Sequence, residues 1–377
     1  MLYSEFKGLK ISQMGFGLMR LPIKEGGALC DIDEEKTAEM IKLAFDAGIN
    51  YFDTAPPYHQ GASEKVTGKI LSRYPRESYF YADKFPGLSK SSYENIEGTF
   101  SAQLAAAGME YFDFYLLHNV CDFDIDWYLA AAPELISFLS RMKEAGKIRH
   151  AGFSLHGSFS LLERFLSVFG DVMEFCQIQL NWFDWNFQDA KAKVAYLNEH
   201  NIPIWVMEPL RGGRLVSLPP DVRILQRMLR GGESTVETAF RFLQSVPGVT
   251  VILSGASTLK QLAENAGYFA APKPMSEEDK EFLFEIASGI HQGVPCTKCR
   301  YCTGVCRRGL DILKLISIYN DFLFSGNDRI TYFALDALPE GAKPFDCVGC
   351  GECEAVCPQG IRIAEVMADF CERLGER

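Results

Sequence analysis

The sequence contains no run of the roughly 18 apolar residues that a membrane-spanning helix needs. Its first residues, Met1-Leu2-Tyr3-Ser4-Glu5-Phe6-Lys7-Gly8, lack the basic-then-apolar layout of a secretory signal, so the expected location is the cytoplasm. Positive charge is in deficit: 38 Lys and Arg against 49 Asp and Glu give a net charge of −11. A surface of that sign repels polyphosphate and anionic lipid, so neither nucleic acid nor a membrane is an expected partner. A complete glycine-rich dinucleotide fingerprint is also missing, because Gly15-Phe16-Gly17 has no third glycine and reads as a strand-turn feature, and there is no flavin fingerprint. Core-forming residues are plentiful: 47% of the 377 residues are apolar and 23% charged, which suits a folded chain and excludes a disordered one. At roughly 150 residues per domain, the length predicts two or three units, or one large barrel with an appendage.

From residue 11 to about 270, short β-branched and aromatic runs alternate with longer amphipathic stretches. The expected strands are Met14 to Leu18, Asn50 to Thr54, Tyr79 to Lys84, Phe112 to His118, His150 to Ser154, Phe175 to Leu180, Ile202 to Glu208 and Val249 to Ser254. Helical stretches such as Asp33 to Ala47, Tyr93 to Ala107, Ala190 to His200 and Ser234 to Ser245 intervene. Eight strands with crossover helices in that span fit a closed (β/α)8 TIM barrel better than an open doubly wound α/β sheet. Ala271-Pro272-Lys273-Pro274 reads as a linker, and Ser276 with Asp279 marks the start of a helix through about Ile290. The expected division is therefore a barrel over 1–271, a linker and helix over 272–294, and a small, mainly helical domain over 295–377.

Twelve cysteines are many for a reducing compartment, where disulfides rarely persist. Cys30, Cys121, Cys176 and Cys371 are scattered and read as buried hydrophobes or bystanders. The other eight form two C-x2-C-x2-C-x3-C runs: Cys296, Cys299, Cys302 and Cys306, then Cys347, Cys350, Cys353 and Cys357, each displaced by 51 positions. The tails repeat as well, Gly309-Leu310-Asp311-Ile312 against Gly360-Ile361-Arg362-Ile363, as in a duplicated unit. Three thiolates within seven residues suit an iron–sulfur cube better than zinc, which takes separated pairs in a tetrahedron. The segment resembles the bacterial-type two-cluster [4Fe-4S] ferredoxins. That resemblance implies that the fourth cysteine of each run serves the other cluster: Cys296, Cys299, Cys302 and Cys357 hold one, and Cys347, Cys350, Cys353 and Cys306 the other. Pro358 follows Cys357 as in the motif, whereas Arg307 follows Cys306. Electron transfer is the expected role, with structural stapling of a small domain as the alternative.

In the N-terminal region, Asp53, Lys84, His118 and Ser154 fall near the ends of successive expected strands, 31, 34 and 36 residues apart. One βα unit has about that length, so the four converge on the barrel rim where active sites lie, with Tyr58 in the loop after Asp53. An ammonium beside a phenol stabilises the phenolate and is expected to lower its pKa from about 10, which makes Lys84 the activator of Tyr58. Asp53 would keep Lys84 charged and in place, and His118 would donate to a substrate oxygen. Asp83 points to the opposite face of its strand by the period-two rule. Taken singly, each residue also has a structural explanation: a core histidine, a helix cap, a packed loop tyrosine.

The runs Gly48-Ile49-Asn50-Tyr51-Phe52-Asp53-Thr54-Ala55-Pro56-Pro57-Tyr58, Ala82-Asp83-Lys84 and Tyr115-Leu116-Leu117-His118-Asn119 resemble those of the aldo-keto reductases, over residues 1 to about 270. The resemblance implies a (β/α)8 barrel that binds NADPH or NADH without a Rossmann domain, and a tetrad of Asp53, Tyr58, Lys84 and His118 with tyrosine as general acid. It further implies that Ser154 and Gln177 hold the nicotinamide carboxamide and that Glu264 and Asn265 lie at the adenine end. The nicotinamide-stacking position falls at Met207, and the cations that clamp a 2′-phosphate are replaced by Gly255 and Gln261, with Arg211 or Arg214 as substitutes. The expected function is an NAD(P)H-dependent oxidoreductase that interconverts a small-molecule carbonyl and an alcohol and carries two [4Fe-4S] clusters, with a redox protein as further partner. Hydride is a two-electron unit and a cluster usually handles one electron, so the alternative is an electron-transfer or redox-sensing protein whose barrel is a docking scaffold.

Overall fold

The structure, a computed structural model, describes residues 1–87, 90–121, 125–187, 190–216, 218, 232–289, 293–294, 296, 302–325, 328–336, 338–357 and 360–375. The chain divides into two compact units, Met1–Gly212 with Ser234–Glu277, and Gly213–Glu233 with Glu278–Arg377. The second unit thus takes an excursion from after the seventh barrel strand. A boundary drawn from proline content and composition follows the chain continuously and has no means of showing such an excursion.

The first unit begins with a hairpin, β1 (Tyr3–Phe6) and β2 (Leu9–Ser12), joined by Lys7 and Gly8 at φ +48° and +82°. Two positive φ values give the turn a twist that matches paired antiparallel strands. Eight parallel strands follow: β3 (Met14–Gly17), β4 (Tyr51–Asp53), β5 (Phe80–Phe85), β6 (Phe112–Val120), β7 (Ile148–Leu155), β8 (Phe175–Gln179), β9 (Ile204–Met207) and β10 (Val249–Ser254). They close in chain order, with β10 against β3. Every expected barrel strand is present, with ends moved by no more than two residues. Crossover helices start where the sequence places caps: Asp33 accepts from the Lys36 N–H, Asn95 from Gly98 and Ser234 from Glu237.

The hairpin lay outside the expected elements, and it closes the floor of the barrel. Phe6 is buried edge-on against Trp205 and Phe175, with ring centroids 5.1 and 6.2 Å away. Ile11, Tyr51, Phe114, Leu116 and Val251 complete this layer. Gly15 sits within it because a Cβ there would meet Leu253 at 2.8 Å and Tyr51 at 3.0 Å; its role is close packing inside a strand. The floor is therefore apolar and filled, and polar side chains gather at the opposite rim.

In the second unit, helices Ile312–Ser325 and Ile363–Leu374 bury Leu315, Ile316, Tyr319, Met367 and Phe370 in one core. The two helices start 51 positions apart, the same displacement as the cysteine runs. Gly309 and Gly360 both take φ near +64°, and each donates its N–H back to the last cysteine of its run, Cys306 at 3.0 Å and Cys357 at 3.1 Å. Leu310 and Ile361 then enter the core in equivalent places. The duplication written in the sequence is thus a duplication of backbone conformation.

Candidate active site

Strands β4 to β9 are consecutive neighbours, so residues near their C-terminal ends share one rim. Lys84 Nζ lies 2.6 Å from Asp53 Oδ1, 2.7 Å from the Thr54 carbonyl and 3.3 Å from the Tyr58 hydroxyl. The ammonium also sits 4.9 Å from the Tyr58 ring centroid. His118 faces the same ring edge-on at 6.0 Å. All four tetrad residues of the sequence reading therefore meet, although they come from three strands and a loop.

Lys84 has no exposure and Asp53 is 2% exposed, so this is an ion pair in a dry place. Such a pair costs desolvation on both partners and is retained where geometry or function demands it. Burial works against the Lys84 ammonium, but the Asp53 carboxylate and the Tyr58 oxygen overcome it and hold the lysine above its ordinary pKa. Burial pushes Asp53 above the usual carboxylate range, with Lys84 pulling against it. For Tyr58 the outcome differs from the sequence expectation. Burial of the hydroxyl raises its pKa, and the nearby Lys84 offsets only part of that rise. The phenol consequently keeps its proton at neutral pH, the form a general acid needs. His118 is pushed well below 6.5, first by burial, then by Lys84 and His156, so it is a neutral imidazole; its buried Nδ1 has no hydrogen-bond partner.

Tyr58 opens a short turn, Tyr58–Gly61, in which His59 and Gln60 take φ of +51° and +55°. Non-glycine residues in that region carry strain that the surroundings must impose. His59 supplies the restraint: its Nε2 accepts the Leu21 N–H at 3.0 Å, which leaves Nδ1 to donate to the Leu29 carbonyl at 2.8 Å. The sequence reading missed His59, and its adjacency to Tyr58 was the signal available.

The residues expected around a nicotinamide cofactor fall into two groups. Ser154 on β7 and Gln177 on β8 are register partners, both buried. Ser154 Oγ accepts the Asn119 N–H at 2.7 Å, and Gln177 Oε1 is a buried acceptor with no donor, as an amide-binding position requires. Met207 is beside Gln177, its sulfur 3.8 Å from Nε2. Asn265 donates to Ser254 Oγ at 2.9 Å, and the exposed Glu264 stands 3.8 Å from Lys260. Arg211 pairs with Asp184 at 3.2 Å and stacks on Phe183, while Arg214 belongs to the second unit and pairs with Asp321. A further cation, Arg20, was absent from the sequence reading: its side chain packs against Gly255 and reaches Glu208 at 3.6 Å.

In the second unit, Cys306, Cys347, Cys350 and Cys353 line one small cavity together with Arg307, Arg308 and Met367. This is the set in which the fourth cysteine of the first run joins three of the second. Among the described residues, no three Cys, His or carboxylate side chains are grouped so as to hold a single metal ion. Burial pushes the Cys353 thiol up to about 11, with Cys347 and Cys306 adding to it, so a cationic guest must supply the stabilisation of the thiolate. The donor set, four thiols from both cysteine runs on one cavity, suits an iron–sulfur cube. Of the complementary set, Cys296, Cys302 and Cys357 are half-buried or buried against the same core, and Cys299 lies outside the described residues.

Known proteins support both halves. A family model for the aldo/keto reductase family matches residues 13–282, and one for a 4Fe-4S dicluster domain matches residues 295–361. The chain is 29% identical over 216 residues to the probable aldo-keto reductase 1 of Glycine max, a match spanning 55% of this chain and 58% of that one. It is 25% identical over 319 residues to the L-galactose dehydrogenase of Arabidopsis thaliana, covering 76% and 96% of the two chains. The holo form of an aldo-keto reductase from Bacillus halodurans superposes with a TM-score of 0.60 at 23% identity, over 76% of this chain and 96% of its own. An aldo-keto reductase from Klebsiella pneumoniae in complex with NADPH gives 0.59 at 16%, over the same shares. The chain is an oxidoreductase of the aldo/keto reductase family, extended at its C-terminal side by a 4Fe-4S dicluster domain.

Proposed function

We propose that the barrel reduces a small-molecule carbonyl to an alcohol at the expense of NADPH or NADH, with Tyr58 as general acid. The observation that carries this reading is the dry contact of Lys84 with both Asp53 and the Tyr58 hydroxyl. A docking scaffold has no use for a buried ammonium, since replacing such a pair by apolar side chains is often neutral or stabilising. Bound nicotinamide supplies a hydride to the carbonyl carbon. Tyr58 passes its proton to the carbonyl oxygen, and the ammonium of Lys84 stabilises the phenolate that remains. Asp53 holds that ammonium in place. His118, neutral at the operating pH, offers its N–H to the same carbonyl oxygen and orients it. The buried Gln177 carbonyl oxygen and Ser154 address the nicotinamide amide, Asn265 and Glu264 the far end of the nucleotide, and Arg20 and Arg211 are the cations available to its phosphates.

The thiols of Cys306, Cys347, Cys350 and Cys353 hold one [4Fe-4S] cluster, and those of Cys296, Cys299, Cys302 and Cys357 the other. The four-thiol cavity supports the crossed arrangement. The clusters supply one-electron transfer to a redox partner. The reading is tested by nucleotide oxidation with a panel of aldehydes, ketones and sugars. Tyr58→Phe keeps the ring contacts with Lys84 and His118 but removes the proton, so kcat should fall by roughly 10²- to 10⁴-fold while nucleotide affinity is retained. Unchanged turnover in that variant would refute the assignment.

A further inference from the structure

Lys84 is held from behind as well as from within the barrel. Its side chain points inward, yet its backbone N–H donates to Asp83 Oδ1 at 2.8 Å and its carbonyl accepts from Gln103 Nε2 at 2.9 Å. Gln103 is itself fixed by the Tyr115 hydroxyl, which donates to its Oε1 at 2.6 Å. Asp83 lies on the outer face of β5, in the layer between the strand and the helices Ala62–Leu71 and Ile96–Ala107, with no exposure at all. There it faces Glu64, 5% exposed, near enough for the two carboxyl groups to act on one another directly.

Two buried carboxyl groups in contact form an arrangement that cannot exist with both ionised. Asp83 Oδ2 and Glu64 Oε1 are each buried acceptors with no donor among the protein groups. The groups facing them are Gln103 and Tyr115 from neighbouring elements, Tyr81 on the same strand, Tyr58, and the lysines 65 and 84. Lys65 is exposed, and the Lys84 ammonium is committed to Asp53 on the far side of the strand. Among the described residues, no further cation enters the layer to balance a second negative charge. A proton placed between the two carboxyl groups satisfies both orphaned oxygens at once, as in other like-charge carboxyl pairs. Burial and Glu64 push Asp83 well above the ordinary carboxylate range, and burial raises Glu64 as well, in agreement with that arrangement.

We infer that Asp83 and Glu64 share a single proton and act as positioning residues that set the backbone of Lys84, and so the place of its ammonium beside Tyr58. The positioning half rests on the proposed carbonyl reduction; the shared proton does not. Asp83→Asn is the informative variant, because its amide donates permanently to Glu64 and still offers an oxygen to the Lys84 N–H. Infrared difference spectra of the holoprotein at neutral pH, wild type minus Asp83→Asn, should contain a protonated-carboxyl band that moves in D2O. Absence of that band overturns the shared proton, whether or not the protein turns over. Asp83→Ala should lower kcat by roughly 10- to 100-fold with nucleotide affinity unchanged, and Asp83→Asn should restore most of the loss. At alkaline pH the wild type should lose activity as the pair gives up its proton, and Asp83→Asn should not. An Asn variant as impaired as the Ala variant, or one with the same alkaline loss, overturns the positioning role. Should Asp83→Ala fail to fold, the Asn variant's infrared spectrum and pH profile decide alone. A band present in a protein that reduces no carbonyl in the panel refutes the proposed function and leaves the carboxyl pair standing.

Discussion

Replacing Lys84 with methionine removes an ammonium of no exposure and leaves the Asp53 carboxylate, 2% exposed, with its main partner gone. The carboxyl then has one inexpensive course, which is to take up a proton. Holding an acid of ordinary pKa about 3.9 protonated at pH 7 costs about 1.4 kcal/mol for each of roughly three units, or about 4 kcal/mol. That bound agrees with the roughly 3–5 kcal/mol found when one partner of a buried pair is deleted. At about 2–4 °C per kcal/mol for a domain of this size, the barrel transition should fall by about 8–16 °C at pH 7. The sign with pH follows from burial, which raises the Asp53 carboxyl and goes unopposed once Lys84 is gone. The penalty is absent below the unfolded value near 4 and grows as pH rises, so at pH 5 it should be only about 1.5 kcal/mol. All four tryptophans, Trp127, Trp182, Trp185 and Trp205, lie in the first unit, so their emission during anaerobic thermal unfolding reports on the barrel. The double variant Asp53→Asn/Lys84→Met should recover most of the loss at pH 7. A penalty below about 1 kcal/mol at pH 7, or one equal at pH 5 and pH 7, would refute the buried-pair reasoning.

The depressed pKa of His118 predicts a kcat/KM profile without a limb near 6.5, its loss of activity falling well below that pH; a limb at 6.5 that disappears in His118→Gln would contradict this. Cys350→Ala, at an exposed position on the four-thiol cavity, should remove about half of the iron and acid-labile sulfide while nucleotide binding by the barrel is retained, as measured by metal analysis and titration. Loss of all the iron would show that the two sites do not assemble independently.

The barrel strands, the convergence of Asp53, Tyr58, Lys84 and His118 and the doubled cysteine spacing were all legible in the amino-acid order, because each is a local signal repeated at a fixed interval. A strand announces itself by apolar runs, a rim residue by its place at a strand end, and a cysteine run by its spacing over eleven residues. The hairpin Tyr3–Ser12 is marked locally only by its short turn at Lys7-Gly8, and its meaning lies in Phe6 closing the barrel floor against Trp205, almost 200 residues away. Asp83 was correctly turned away from Lys84 by the alternation of the strand, yet nothing local showed that it would be buried against Glu64.

The direction of the Tyr58 shift makes the same division clear. Sequence alone brought a lysine to the phenol and so predicted a lowered pKa, while the tertiary structure decided how much water is removed from the hydroxyl, and burial proved the larger effect. Residue type and spacing determine which charges will meet, because strand period and unit length are properties of the chain. Solvation, and with it protonation, belongs to the packed molecule, since it depends on every distant segment that closes around the site.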